Sequence, residues 1–166
     1  MMKKLTLTLL TCLIFLSPNM VMSETMKDLV ERDGLYYKKF SDVSFTGKLT
    51  GKKYRGTFKN GKKQGLWERY FDNGQLLDKG NYKEGRWYGP WVSYWSNGQL
   101  LLKRTYENGF SNGPAVSYYK NGQLRYKGTF KNGKEEGSWV SYKEDGTVDK
   151  INTGTFKHWL RVALPN

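Results

Sequence analysis

His158 is the only histidine of the 166-residue chain, and Cys12 is the only cysteine. Nucleophilic catalysis by a Cys–His pair needs both groups within hydrogen-bond reach, and the usual zinc sites need several Cys or His ligands at close spacing. Cys12 lies inside an apolar run, Leu5 to Leu16, and His158 near the other end, so neither pattern is present. The carboxylates Asp72, Glu107 and Glu135-Glu136 fall where turns are expected, and solvated charge is their ordinary role. A glycosidase would use two such acids across a cleft, but no acid here stands out from apolar surroundings. The many glycines do not form a phosphate loop, because no strand-to-helix turn accompanies them. The residue types therefore indicate no enzyme, no metal site and no cofactor.

The chain opens with Lys3 and Lys4, the apolar run, a break at Ser17-Pro18-Asn19, and Val21-Met22-Ser23 ending on a small residue. That order is the pattern of a secretory signal peptide, expected over residues 1–23 with cleavage after Ser23. An apolar run of this length is shorter than the roughly 20 residues that span a bilayer, although an uncleaved anchor is the alternative. Cys12 makes a poor lipoprotein site, since Thr11 precedes it in place of a small Gly, Ala or Ser. A periplasmic or extracellular location is expected, in contact with the membrane surface if the segment is retained. Without residues 1–23 the chain has no cysteine, so sheet pairing and packing must hold it together without disulfides. Those residues carry two lysines and no acid, so the net charge of +13 becomes +11 on their removal. Such a balance favours anionic partners. For an exported chain these are phospholipid head groups, lipopolysaccharide or acidic polymers, ahead of nucleic acid.

Fold class follows from an internal repeat. Asn-Gly-Gln-Leu occurs at 73–76, 97–100 and 121–124, and Asp145-Gly146-Thr147-Val148 is a weaker fourth copy, each 24 residues after the last. Asn60-Gly61, Glu84-Gly85, Asn108-Gly109 and Asn132-Gly133 keep the same period, as do Gly65, Gly89, Gly113 and Gly137. Trp67, Trp91 and Trp139 share one phase, broken by Ala115, and Tyr70, Tyr94, Tyr118 and Tyr142 share another. The units run at about 56–79, 80–103, 104–127 and 128–151, with degenerate ends that complete a repeat domain over 34–157. Residues 158–166 form a divergent tail.

Within a unit, Leu124, Tyr126, Gly128 and Phe130 alternate with Arg125, Lys127 and Thr129, the period of a half-buried strand. Two sets of glycines suit turns of positive φ: Gly61, Gly85, Gly109 and Gly133 in one, and Gly74, Gly98 and Gly122 in the other. Gly80 and Gly128 fall inside strands, where they let a neighbouring aromatic lie over the backbone. A second strand follows, with Trp91, Ser93 and Trp95 on one face and Val92 and Tyr94 on the other. The expected fold is all-β, an antiparallel hairpin meander. Equivalent residues of adjacent repeats should lie ~9.6 Å apart, two strand spacings. Residues 24–33 are expected to form a short helix, capped by Thr25 and Asp28, over the first sheet edge.

The stretch Tyr126-Lys127-Gly128-Thr129-Phe130-Lys131-Asn132-Gly133-Lys134, followed by Gly137, resembles the MORN repeat. The Asn-Gly-Gln-Leu element and the 24-residue unit resemble its bacterial variant, which includes proteins labelled as YwqK-type antitoxins. The resemblance covers about residues 34–156. It implies a single twisted antiparallel sheet used for contacts, in scaffolds or binding modules, some of them linked to membrane lipids. The antitoxin label implies a toxin partner, which with an export signal becomes an immunity role in the periplasm. The third repeat departs from the pattern, with Arg104 for glycine and Ala115 for tryptophan.

A binding surface is expected to draw on Trp67, Trp91 and Trp139, on Tyr70, Tyr94, Tyr118 and Tyr142, and on a basic rim including Lys63, Lys83 and Lys134. The tryptophans have a second explanation, since core packing also produces repeat phasing. The expected function is a non-enzymatic, exported interaction scaffold. The alternatives are a module for anionic envelope lipid or polysaccharide, and an immunity protein.

Overall fold

The computed structural model describes residues 24–163, so the expected signal segment lies outside the described residues. Thirteen strands follow in order: β1 (Leu29–Arg32), β2 (Leu35–Lys38), β3 (Gly47–Thr50), β4 (Tyr54–Lys59), β5 (Lys62–Tyr70), β6 (Leu76–Lys83) and β7 (Arg86–Tyr94). They continue with β8 (Leu100–Glu107), β9 (Phe110–Tyr118), β10 (Leu124–Lys131), β11 (Lys134–Ser141), β12 (Gly154–Lys157) and β13 (Leu160–Ala163). Strands β3 to β13 form one 11-stranded antiparallel sheet in sequence order, and β1 pairs only with β2. The all-β meander expected from the 24-residue period is the observed fold.

The two turn families are built differently. At one edge, two-residue turns place both residues at positive φ, as at Asn132 (50°) and Gly133 (80°). This is the turn whose twist matches that of the flanking strands. At the other edge only the glycine is left-handed, with Gly74 at 82°, Gly98 at 84° and Gly122 at 87°. The asparagine before each of them keeps a negative φ, so the Asn-Gly pairs of the two edges do not form the same turn. Gly74 N–H donates to the Phe71 carbonyl at 3.0 Å, Gly98 N–H to that of Trp95 at 2.8 Å, and Gly122 N–H to that of Tyr119 at 3.0 Å. Asparagine does separate work there. The Asn97 side-chain carbonyl accepts from Gln99 N–H at 3.1 Å, while its amide donates to the Lys120 carbonyl of the next repeat at 3.3 Å. Asn73 bonds Ser96, and Asn121 bonds Glu144, in the same way.

The third periodic glycine marks a bulge. Lys127 pairs with Val140 and Thr129 with Glu136, so the three residues Gly137 to Trp139 face the single Gly128. Gly137 is left-handed at φ 73°. A bulge of this kind sharpens the local twist and re-aims the residue beside it. Here it lays Trp139 across Gly128, where an added Cβ would stand 2.3 Å from the indole. Trp91 over Gly80 and Trp67 over Gly56 repeat the arrangement.

One face of the sheet is thereby filled with aromatic rings. Phe58, Trp67, Tyr82, Trp91 and Tyr106 form a continuous run of ring contacts, with centroids 4.9 to 6.3 Å apart. Most are edge-on, the geometry preferred by ring quadrupoles. Trp139 starts a second run with Tyr126 and Phe130. The β1–β2 hairpin caps the first run: Leu29, Phe45, Leu49, Phe58 and Trp67 are buried together, with Tyr36 packed against them.

Both ends depart from expectation. The helix expected over 24–33 is a single 3-10 turn, Met26–Asp28, before the chain enters β1. The Thr25–Asp28 capping box is present. However, Leu29 must turn into the core beneath the aromatic face, and β-strand alternation places it there. The segment still shields the first edge, where the Glu24 carbonyl accepts from Thr50 N–H at 3.3 Å. At the other end the described part of the tail continues the sheet. His158 and Trp159, at φ 52° and 72°, replace the Asn-Gly pair in the fifth such turn of the 11-stranded sheet. Trp159 N–H donates to the Glu135 carbonyl at 3.0 Å, as Gly133 N–H does to that of Ser111 at 2.8 Å one repeat earlier.

Candidate functional site

The expected surface residues divide between the two faces. Trp67, Trp91 and Trp139 belong to the aromatic face and are 2%, 7% and 5% exposed, so they pack rather than offer a stacking platform. Lys63 lies on the same face, with Nζ 4.9 Å from the Trp67 ring and 5.1 Å from that of Tyr82. Loss of water there holds its ammonium pKa below the usual lysine value, and the ring faces supply compensating attraction. Lys63 is therefore part of the packing and not of a free rim. Lys83 and Lys134 are at the two-residue-turn edge, where Lys134 Nζ lies 4.0 Å above the Trp159 ring and Lys83 Nζ lies 5.6 Å from that of Tyr88.

The four tyrosines fall on the opposite face. Tyr70 lies two residues from Glu68, to which its hydroxyl donates at 2.8 Å. Tyr94, Tyr118 and Tyr142 follow Val92, Val116 and Val140 at the same interval. All four tyrosines are half-buried. Beside them runs a row that is absent from the surface expected from sequence. Lys79 pairs with Val92, Val92 with Lys103, Lys103 with Val116, Val116 with Lys127, and Lys127 with Val140. Six adjacent strands thus present lysine and valine in strict alternation. The lysines are exposed and the valines half-buried. None of these three lysines takes part in an ion pair among the described residues. The signal is present in the sequence, since Lys79, Lys103 and Lys127 are 24 residues apart.

A broad groove of about 690 Å³ follows this row, lined by Val92, Val116, Val140, Pro90 and Pro114 with the stems of Lys103 and Lys127. Among the described residues, the remaining hairpin, β1–β2, packs on the aromatic face, which leaves this one open.

The irregular third repeat proves to be a paired replacement. Ala115 lacks the indole that would cover residue 104, and Arg104, which pairs with it, fills the space. The guanidinium donates to the Tyr126 hydroxyl at 2.6 Å and the Ser111 hydroxyl at 3.3 Å, and lies 4.4 Å from the Phe130 ring centre. Arg104 thus stands between the two runs of rings, in register with Trp91 of the first. Its Nε is buried without a hydrogen-bond partner. Nearby, burial raises the Glu135 pKa above the usual carboxylate value, with the charge of Arg104 opposing the shift. No three of His, Cys, Asp and Glu converge in a metal-binding cluster among the described residues.

An open antiparallel sheet of repeated hairpins, one face packed and the other bare, is the architecture of a repeat protein. The family model described as the MORN repeat variant matches residues 63–84, 87–108 and 111–132. The chain therefore carries three consecutive MORN-variant repeats, each matched stretch taking in one hairpin across the Asn-Gly-Gln-Leu turn. Repeats of this family are generally found in binding modules and are generally not catalytic. No curated protein matches the chain.

Proposed function

We propose that this chain is an exported, non-enzymatic binding module that holds a protein partner on its open sheet face. The observation that supports this most directly is the contrast between the faces. The aromatic face is filled by its own rings and the β1–β2 hairpin, whereas the open face carries half-buried valines and tyrosines under no second layer. Half-buried apolar side chains ringed by exposed charge are the usual composition of an interaction surface.

The test is a pull-down from envelope extract with three forms of the exported protein: wild type, Val116→Glu on the open face, and Lys83→Ala at the turn edge. One protein should be recovered by wild type and Lys83→Ala and lost with Val116→Glu, with all three forms equally folded by circular dichroism. Equal recovery by all three would place binding elsewhere on the molecule.

A second reading has its own support at the turn edge. Lys62, Arg86 and Lys134 share one repeat phase there, with the exposed Phe110 as the fourth member. A basic edge with an aromatic is suited to anionic lipid or polysaccharide of the envelope. Absence of binding to anionic vesicles or lipopolysaccharide at low ionic strength would eliminate that reading, since screening is weakest there.

A further inference from the structure

We infer that the open face recognises an extended polyproline-II segment carrying an acidic residue at every third position. This rests on the proposed open-face binding and names the chemistry of the partner.

The spacing is the first argument. Lys79, Lys103 and Lys127 stand in one register row on β6, β8 and β10, with Val92 and Val116 between them. Alternate strands are ~9.6 Å apart, so the ammonium groups recur at about that interval along a line crossing the strands. A polyproline-II helix repeats every three residues at 3.1 Å each, about 9.3 Å per turn. Acids at positions i, i+3 and i+6 would therefore meet the three lysines in step. An extended β-strand repeats a face every two residues, about 6.7 Å, and falls out of step at the second lysine. An α-helix returns to one face after seven residues, about 10.5 Å, and is further out of step than polyproline II. Sheet twist turns the row into a slowly winding stripe, which the flexible lysine stems can follow.

The chemistry of the face is the second argument. The lysines are exposed and take part in no ion pair among the described residues, with Glu68 as the cross-strand neighbour of Lys79 at one end of the row. Between them the groove offers Val92, Val116, Pro90 and Pro114. A polyproline-II segment is preformed and so loses little conformational entropy on binding. Proline or other apolar residues between the acids would rest on the valines.

The experiment titrates the exported protein with three peptides of equal length and charge. One has glutamate at every third position separated by prolines, one has glutamate at every second position, and one has its glutamates clustered at one end. Lys79→Ala, Lys103→Ala, Lys127→Ala and Lys83→Ala are measured in parallel, together with anionic vesicles. The three-residue spacing should bind several-fold more tightly than the other two peptides. Each row lysine removed should weaken it by roughly two- to fivefold, the range of an exposed charge contact, and Lys83→Ala should leave it unchanged. Equal binding of all three peptides would reduce the row to general attraction for anions and overturn the inference. So would binding to vesicles alone, or an effect of Lys83→Ala as large as that of Lys103→Ala. If no peptide binds while Val116→Glu still abolishes partner recovery, the inference fails and the open-face reading stands. If Val116→Glu is also without effect, both fail.

Discussion

At the scale of single residues, the 24-residue pattern is a set of physical jobs, and its one conspicuous exception shows how tightly they are coupled. Gly80 and Gly128 lie under indole rings at distances that no Cβ could occupy. Position 104 has no ring above it, because its partner on β9 is Ala115. An arginine there is accommodated by Tyr126, Ser111 and the face of Phe130, at the cost of one buried Nε without a partner. The two departures are thus one substitution made across two strands. Arg104→Gly alone should leave a cavity, and Ala115→Trp alone should force an indole onto the guanidinium. Each is expected to destabilise by about 2 kcal/mol. The double variant restores the arrangement of the other repeats and should lie near wild type. A coupling of about 4 kcal/mol in a double-mutant cycle, both single losses being recovered in the double variant, is the expected result by urea unfolding. Additive losses would show that the arginine is held by something other than the missing ring.

At the scale of elements, the turn asparagines add a side-chain tie between hairpins whose strands already pair along their length. Asn97 holds its own turn through Gln99 N–H and reaches the Lys120 carbonyl in the following repeat. These two roles separate chemically. Asn97→Asp keeps the acceptor and loses the amide donor, whereas Asn97→Ala loses both. With each hydrogen bond contributing about 1 kcal/mol, and the amide donating also to the Gln99 side-chain carbonyl at 3.0 Å, the aspartate variant should lose about 2 kcal/mol and the alanine variant about 3. Hydrogen exchange at the Gln99 amide should accelerate in Asn97→Ala and stay slow in Asn97→Asp. These turns, the strand pairs and the glycine-over-ring contacts are legible because a period of 24 repeats each local signal several times. The different geometry of the two Asn-Gly families is not, because Asn121-Gly122 and Asn132-Gly133 are the same dipeptide and only the hydrogen bonds around them differ. Nor is the segment over 24–33, because Thr25 and Asp28 form the same capping box at the start of one turn as at the start of a helix. Only the burial of Leu29 against Phe58 and Trp67, a contact distant in sequence, decides for a strand. The candidate surface is legible in part. Tyrosine and tryptophan phases are both visible in the sequence, but which face β1–β2 covers is not, so Trp67, Trp91, Trp139 and Lys63 are grouped there with residues they do not join. The lysine row is hidden because its members sit inside strands, where a single lysine reads as ordinary solvated alternation.

At the scale of the whole molecule, an array of this kind behaves as a stack of nearest-neighbour units, so whole units can be removed without disturbing the rest. Deleting residues 97–120 joins Ser96 to Asn121, and the new junction has the same sequence register as the old. The excised stretch contains β8 and β9 entire, and it takes Arg104 and Ala115 away together. In the shortened sheet β7 would pair with β10, Trp91 would stay over Gly80 and Trp139 over Gly128, and Phe130 would come beside Trp91 to close the gap between the aromatic runs. The shortened protein should therefore fold cooperatively, with a urea m-value reduced in proportion to the surface removed. Its midpoint should fall by less than the loss of two average strands would give, because the arginine with its unpaired Nε is lost with them. The open face would keep Lys79 and Lys127 as neighbours and lose Lys103, leaving two lysines of the row. An acidic peptide of three-residue spacing should then bind the shortened sheet about as weakly as it binds Lys103→Ala. If the deletion instead yields an expanded, non-cooperative chain, the repeats are not interchangeable units and the irregular third copy is required for the fold.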